Sequence, residues 1–332
     1  MVKKPKITPN VPEGVTLNKE KVPVSKLIFY ICLLIFPIAQ FIVFYIIVNF
    51  NGITLSFKKY EMGDYVFAGF ENYKTVFNQF FHDGEFGFAI KNSFITMGVD
   101  FVVIMLLSLL FSFYIAKKYP LHKFFRVMLF LPSIISSIVM VIIYRYFLEE
   151  AIPLIIDKIW GRENVIHGWL NKIFDTPTEG SFLNRPGTDS FIFIMFYYVW
   201  ISFGSGILLY SGAMSGISED VIEAGYLDGA TGLKEFFYIT IPGIWPTIVV
   251  LTISKLTAFF TNQLGLFSFY GSSALPQMQT IGYYLFKNTY GNIATMDIFP
   301  KLAAMGIVFT IVIAPVTLGV KYLMEHFGPR EE

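Results

Sequence analysis

The chain has 332 residues, of which 55% are hydrophobic and 15% are charged, and its formal net charge is +1. Because an average soluble protein is about a quarter charged, this composition excludes an ordinary soluble protein and indicates a polytopic membrane protein. The single cysteine, Cys32, excludes a disulfide framework or a cysteine metal cluster. The net charge gives no sign of a nucleic-acid partner, and none is expected.

Apolar runs long enough to cross a bilayer predict an all-α fold with six transmembrane helices. The predicted spans are residues 27–48, 93–116, 124–147, 191–209, 244–267 and 302–320. They form a transmembrane domain, residues 27–324, between two polar tails, residues 1–26 and 325–332. The predicted connections include loops at residues 49–91, 149–190, 211–243 and 268–300.

The distribution of lysine and arginine predicts the orientation of these spans. The two tails together with Lys321, the turn after the second span and loop 211–243 hold 13 of these residues, against 10 in the longer loops on the other face together with Lys301. The turn is especially dense, since Lys117, Lys118, Lys123 and Arg126 lie close together. The positive-inside rule therefore places both termini and loop 211–243 in the cytoplasm.

Loop 211–243 carries the most specific pattern in the chain. Ser218 can cap a helix whose first turn is acidic, and the Asp228-Gly229 pair then breaks that helix. A second apolar face starts at Leu233 and is stopped by Pro242. The pattern predicts two short helices joined by a bend. The alternative is an amphipathic connector on the bilayer surface, which would not need this register of acid, glycine and proline.

This loop resembles the cytoplasmic "EAA" loop of ABC-importer permeases, whose pattern is E-A-A-x-x-D-G-A-x5-F-x-x-I-x-L-P. Eight of the ten specified positions match, and Gly225 and Ile241 are the two departures. The turn Gly69-Phe70-Glu71-Asn72-Tyr73 resembles the family's G-x-x-N-Y turn, and Phe130-Leu131-Pro132 resembles the opening of its third span. From about residue 69 onward the chain is similar to maltose-type and other oligosaccharide permeases.

The resemblance implies a subunit of an ATP-driven, binding-protein-dependent importer of sugars, most of all oligosaccharides, in the cytoplasmic membrane of a prokaryote. It also implies three kinds of partner: a second homologous permease, two ATPase subunits and an extracytoplasmic solute-binding protein. The loop residues that would couple to the ATPase are Glu223, Ala224, Gly225, Asp228, Gly229, Ala230, Phe236 and Pro242.

The sequence contains no G-x-x-x-x-G-K-[ST], H-E-x-x-H or G-x-S-x-G pattern. We therefore expect no catalytic site, no metal site and no cofactor on this chain, with ATP and Mg²⁺ bound by the partner ATPase. Two other functions stay open. One is an ion-coupled secondary transporter, which Asp100 and Lys255 in the spans keep possible. The other is an ABC importer of a non-sugar solute.

The fourth predicted span carries a candidate sugar contact. Tyr198, Ser202 and Ser205 share one helix face at spacings of four and three residues. Aromatic and hydroxyl groups together suit a sugar ring, and the family places substrate contacts on the corresponding spans. The alternative is an interfacial aromatic belt with small residues for helix packing.

The fifth predicted span carries a polar stripe in an otherwise apolar helix. It consists of Thr252, Lys255, Phe259, Asn262 and Gln263. A lysine deep in a bilayer is costly, so Lys255 is predicted to face the translocation path. Its ammonium can bind sugar hydroxyls or an acidic sugar, or it can instead form a buried ion pair with Asp100. The position of Asn262 also resembles an asparagine used for sugar contact in maltose-type permeases.

Overall fold

The computed structural model describes residues 24–152, 154–155, 158, 183, 189–291 and 296–329. Most of the predicted N-terminal tail, the last three residues of the predicted C-terminal tail and most of the predicted loop 149–190 lie outside the described residues. The chain divides into two compact units, Met1–Gly52 and Ile53–Glu332. Each is taken by itself here.

The described part of the first unit is helical. Helix α1 runs through Val24–Phe41, a π-helical stretch at Ile42–Ile47, and Val48–Ser56, so its last four residues belong to the second unit. Its most apolar part is not buried at all. A helix that is apolar on every side and exposed in this way is typical of a membrane span, as predicted for residues 27–48.

The second unit begins with a small sheet that the sequence did not predict. Strands β1, Lys58–Glu61, and β2, Asp64–Phe67, form an antiparallel hairpin inside the predicted loop 49–91. The buried Asn72 of the G-x-x-N-Y turn stabilises the start of this hairpin. The Asn72 amide donates to the carbonyl oxygens of Ser56 and Lys58, both at 2.7 Å.

Helices make up most of the rest of the second unit. In chain order they are α2 Glu71–His82, α3 Gly84–Ala116, α4 His122–Ile134, α5 Ser137–Ala151, α6 Asp189–Met214, α7 Glu219–Leu227, α8 Leu233–Gly243, α9 Trp245–Phe260, α10 Leu266–Tyr270, α11 Ile281–Gly291 and α12 Ile298–Phe327. A π-helical segment, Asp100–Ile104, lies inside α3, and α11 lies in a stretch predicted as loop.

Within the described residues, four helices are long and apolar enough to cross a membrane, among them α3, α6 and α12. The number rises to six if each of two bent pairs counts as one span. One pair is α4 and α5, at 106°, so the third predicted span, residues 124–147, is not one straight helix. Pro132 removes a helical N–H near the break, and Ile135 and Ser136 take extended backbone angles there.

The fifth predicted span, residues 244–267, is also shorter than expected. Helix α9 ends at Phe260, and α8 meets it at a bend of 74°. The Asn262 side chain accepts a hydrogen bond from the Leu264 N–H at 3.0 Å, and Leu264 and Gly265 both have positive φ. This side-chain turn competes with the helix and ends it. Asn262 and Gln263 therefore lie beyond α9 rather than on its face.

Small residues hold α3 and α6 together. A Cβ on Gly206 would lie 2.7 Å from the Ser108 hydroxyl oxygen, which leaves no room for a side chain. Ser108 and Ser112 of α3 donate to the carbonyl oxygens of Phe203 and Ile207 of α6, both at 3.1 Å. Close approach with interhelical hydrogen bonds is the usual way that membrane helices pack.

Candidate functional site

Loop 211–243 folds as predicted, into the short helices α7 and α8 with a bend between them. Gly229 and Gly232 have φ of +76° and +59°, a left-handed region that favours glycine. The Ala230 N–H closes the bend on the Gly225 carbonyl oxygen at 2.8 Å. Ser218 occupies the predicted cap position, with Glu219 and Asp220 in the first turn, but its side chain makes no capping hydrogen bond.

The motif residues of this loop divide into an exposed and an inward-facing group. Glu223, Ala224, Asp228 and Gly229 are exposed. The remaining motif residues are half-buried or buried: Gly225, Ala230, Pro242 and Phe236. The exposed motif residues therefore lie on α7 and in the bend.

Gly225 stands where the family pattern has alanine. A Cβ at this position would meet the terminal Cδ1 atom of Ile239 on α8, so an alanine would require the end of that side chain to move. Glycine lowers the helix propensity of α7 at this position.

Phe236 points into the protein, where it packs against Phe113 at the end of α3 with ring centroids 5.2 Å apart. It belongs to an apolar cluster with Tyr210, Met214 and Ile244, which joins α8 to α3, α6 and the start of α9. In this structure Phe236 therefore anchors the loop to the spans.

A polar contact that the sequence did not reveal lies beside this cluster. Lys117 follows α3 directly, and its ammonium forms an ion pair with Glu235 of α8. It also donates to the Tyr226 hydroxyl of α7 at 2.9 Å, and that hydroxyl lies 3.3 Å from the second Glu235 oxygen. We call Lys117, Tyr226 and Glu235 the Lys117 clamp.

Lys117 keeps its charge in the clamp. The Glu235 side chain is 3% exposed and the Lys117 side chain 18%. Burial works to lower the pKa of Lys117, but its hydrogen bonds to Glu235 and Tyr226 and the charge of Glu235 outweigh this and leave the pKa above its ordinary value. The ammonium therefore stays protonated at neutral pH.

The second polar site joins three helices inside the apolar region. Lys255 of α9 forms an ion pair with Asp100 of α3, with 2.6 Å between Nζ and Oδ1. The Tyr198 hydroxyl of α6 donates to the same carboxylate at 3.0 Å and accepts from the Asn262 amide at 2.7 Å. We call these four residues the Asp100 cluster.

The Asp100 cluster bears on the two interpretations of Lys255. The predicted alternative of an ion pair with Asp100 is the arrangement that the structure has. Asp100 is buried, whereas the Lys255 side chain is 26% exposed, so the ammonium still reaches open space. An ammonium has three donors, and those not used by Asp100 remain available to a ligand.

A small cavity beside the pair is lined by Ser93, Thr96, Phe259, Asn262 and Thr280, among others. It leaves ≈ 10 Å³ for the centre of a water molecule, which is room for about one water. A sugar ring does not fit there in this conformation. The lining nevertheless combines hydroxyl and amide groups with an aromatic face.

The other predicted path residues lie around this cluster or away from it. Phe259 lines the cavity and packs against Phe94, with ring centroids 5.0 Å apart. Ser202 and Gln263 are half-buried. Ser205 is exposed, and its hydroxyl donates to the Ser202 carbonyl oxygen at 2.9 Å. Of the three predicted residues on α6, the structure places only Tyr198 in the cluster.

Comparison with known proteins shows the family of this chain. Residues 104–332 match the family described as the binding-protein-dependent transport system inner membrane component. The chain belongs to this family. It is therefore a transporter permease subunit and not an enzyme, and it is a multi-pass membrane protein. The resemblance to ABC-importer permeases, based on the EAA pattern, is confirmed.

Named relatives resemble this permease over most of its length. It is 26% identical over 301 residues to the arabinooligosaccharides transport system permease protein AraP of Halalkalibacterium halodurans, covering 87% of each chain. It is 24% identical to the multiple sugar-binding transport system permease protein MsmF of Streptococcus mutans, covering 80% of this chain and 83% of that protein.

The fold of the permease is also that of a solved importer. The chain matches a crystal structure of a bacterial ABC transporter involved in the import of the acidic polysaccharide alginate, with a TM-score of 0.66. The match covers 92% of this chain and 99% of that one at 20% identity. At this identity the likeness establishes the fold alone.

Proposed function

We propose that this permease is the transmembrane subunit of an ATP-driven importer of neutral oligosaccharides. The observation that carries the sugar assignment is the likeness to an arabinooligosaccharide permease over 87% of both chains. MsmF, whose name gives multiple sugars, supports the same class of cargo. The chain forms half of the translocation path, and a second homologous permease forms the other half.

The orientation follows from the order of the helices. Counting one span for each bent pair gives six spans, which puts both termini on one side of the membrane. The connection that contains α7 lies between the fourth and fifth of these spans and is therefore on the same side. The density of lysine and arginine around Lys117 supports the cytoplasm as that side. We assign the permease to the cytoplasmic membrane of a prokaryote.

In this orientation the exposed part of the loop faces a cytoplasmic ATPase. Glu223 and Asp228 present carboxylates on an otherwise uncommitted surface, and Gly229 sets the bend between α7 and α8. Two ATPase subunits bind ATP and Mg²⁺, one on each permease, and this chain holds neither. An extracytoplasmic binding protein delivers the sugar from the opposite side.

The Asp100 cluster supports a neutral cargo over an acidic one. An uncompensated ammonium in the path would attract a carboxylate-bearing sugar. Here Asp100 already neutralises Lys255, and the other members, Tyr198 and Asn262, are uncharged. The cluster offers donors to hydroxyl groups without net charge.

Uptake by proteoliposomes tests this proposal. The vesicles contain this chain with its cognate permease, ATPase and binding protein, and the cargoes are a neutral arabino-oligosaccharide and an oligouronate of equal length. We expect uptake of the neutral sugar that requires both ATP and the binding protein. Uptake that survives without ATP and follows an ion gradient would establish a secondary transporter instead. Preference for the uronate would refute the neutral assignment.

A further inference from the structure

The helices that meet at the Asp100 cluster are attached to the coupling loop in different ways. Helix α6 leads into α7 through the short connection after Met214, and α9 follows α8 at Ile244. Covalent bonds therefore carry any movement of the loop into Tyr198 on α6 and Lys255 on α9. Helix α3, which carries Asp100, is not adjacent to the loop in sequence.

Noncovalent contacts must therefore hold α3 to the loop. Part of the attachment is indirect, through the hydrogen bonds of Ser108 and Ser112 to α6, and part is apolar, through the contact between Phe113 and Phe236. Apolar contacts between packed helices allow small sliding movements. They do not by themselves fix the position of the end of α3 relative to α7 and α8.

The Lys117 clamp supplies a contact with a defined position. Lys117 continues α3, and its ammonium reaches Tyr226 on α7 and Glu235 on α8 at the same time. The buried Glu235 carboxylate needs this partner, because a buried charge without compensation is strongly unfavourable. The ammonium also lies 5.1 Å from the centroid of the Tyr226 ring, which adds a cation–π contact.

We propose that the Lys117 clamp is the joint through which movement of the coupling loop is transmitted to α3 and from there to Asp100. Lys117 and Glu235 are thus positioning residues for coupling, in addition to the motif residues that face the ATPase. Asp100 and Lys117 are 17 residues apart on one helix, or about 25 Å at 1.5 Å per residue. This inference rests on the proposed function of the loop.

The test measures the number of ATP molecules hydrolysed per sugar imported, in proteoliposomes that contain the complete transporter. The variants are Lys117→Gln, Glu235→Gln and their combination. Because allosteric coupling commonly amounts to roughly 5–150-fold, we expect this ratio to rise about fivefold or more in each single variant. The combination should be no worse than either, since all three lose the same contact.

Two further variants separate a joint from a contact that only stabilises the fold. Lys118→Gln removes the neighbouring exposed lysine and should leave the ratio at its wild-type value. The exchanged pair Lys117→Glu with Glu235→Lys keeps an ion pair and should lower the ratio below that of the Gln variants.

The outcomes are distinct. The proposal is overturned if assembled complexes of both Gln variants hydrolyse as much ATP per imported sugar as the wild type. This holds also if less complex assembles but the assembled fraction couples normally. A wild-type complex that imports no sugar would instead refute the proposed function. If wild type couples and only the clamp variants waste ATP, both stand.

Discussion

The Asp100–Lys255 ion pair yields the sharpest prediction, because each partner can be removed separately. Lys255→Met leaves the Asp100 carboxylate, 8% exposed, with the Tyr198 hydroxyl as its remaining partner in the cluster. Breaking a buried ion pair from one side costs about 3–5 kcal/mol. Because the Lys255 side chain is about a quarter exposed, we expect a loss near the lower end, about 3 kcal/mol.

Removing both charges should cost less than removing one. In Lys255→Met with Asp100→Asn, no charge is left uncompensated, and the Asn oxygen still accepts from Tyr198. We expect a total loss of about 1 kcal/mol, the value of one ordinary hydrogen bond. The single variant Asp100→Asn leaves an ammonium that can turn toward open space, and it should lose about 2 kcal/mol.

The assay is reversible unfolding of the purified permease in mixed detergent and SDS micelles, combined with the yield of assembled transporter. Val250→Met, on an exposed position of α9, controls for the introduction of methionine into this helix. If the loss in the double variant equals the two single losses added together, within about 0.5 kcal/mol, the pair contributes no interaction energy and the reasoning fails. Normal assembly and uptake in Lys255→Met would refute both interpretations of this lysine.

Four further predictions concern the loop, the cluster and the clamp. Glu223→Ala should weaken ATPase docking by about 1.5–3 kcal/mol, measured by copurification, and equal recovery of the ATPase would contradict this. Gly229→Val should cost about 1–2 kcal/mol, because its φ is +76°, and should raise ATP use per sugar more than Gly229→Ala does. Tyr198→Phe removes the hydroxyl between Asp100 and Asn262 and should slow uptake while the complex still assembles; unchanged uptake kinetics would argue for an aromatic belt. The pKa of Lys117 is raised in the folded protein, so the clamp contributes fully below the ordinary lysine pKa and is lost only as the pH rises through the higher folded value. ATP use per sugar should therefore stay constant from about pH 6 to about pH 9.

The sequence predicted best those features that depend on neighbouring residues. Apolar runs located the long helices, and the bend of the coupling loop followed from Gly229, whose conformation is a local property. The ion pair could be foreseen as an alternative because Asp100 and Lys255 were ionisable residues at comparable depth in the predicted spans. The Lys117 clamp could not, because Lys117 and Tyr226 are 109 residues apart and Lys117 belongs to a basic turn that charge counting already explained.

Helix ends were the least predictable feature, for two physical reasons. Helix α3 begins nine residues before the predicted span, where the Asp83 side chain caps it by accepting a hydrogen bond from the Glu85 N–H at 2.9 Å. The Glu85 side chain also pairs with Lys287 of α11 at 2.7 Å, a tertiary contact that hydropathy does not detect. Helix α9 ends before the predicted end of the span because the Asn262 side chain accepts a hydrogen bond from the Leu264 N–H and turns the backbone there.

The π-helical segment of α3 is a further reason to infer that Asp100 responds to movement of the coupling loop. This segment begins at Asp100, where the helical hydrogen-bond pattern changes, and such segments often accompany functional sites. On the C-terminal side of this segment, α3 packs against α6 through Ser108 and Ser112 and ends at the Lys117 clamp. In the proposed coupling, a displacement of the Lys117 end of α3 reaches the turn at which the helix departs from the α-helical hydrogen-bond pattern. The carboxylate at that turn is the group shared by Lys255 and Tyr198, so a small shift there changes contacts on two other helices at once.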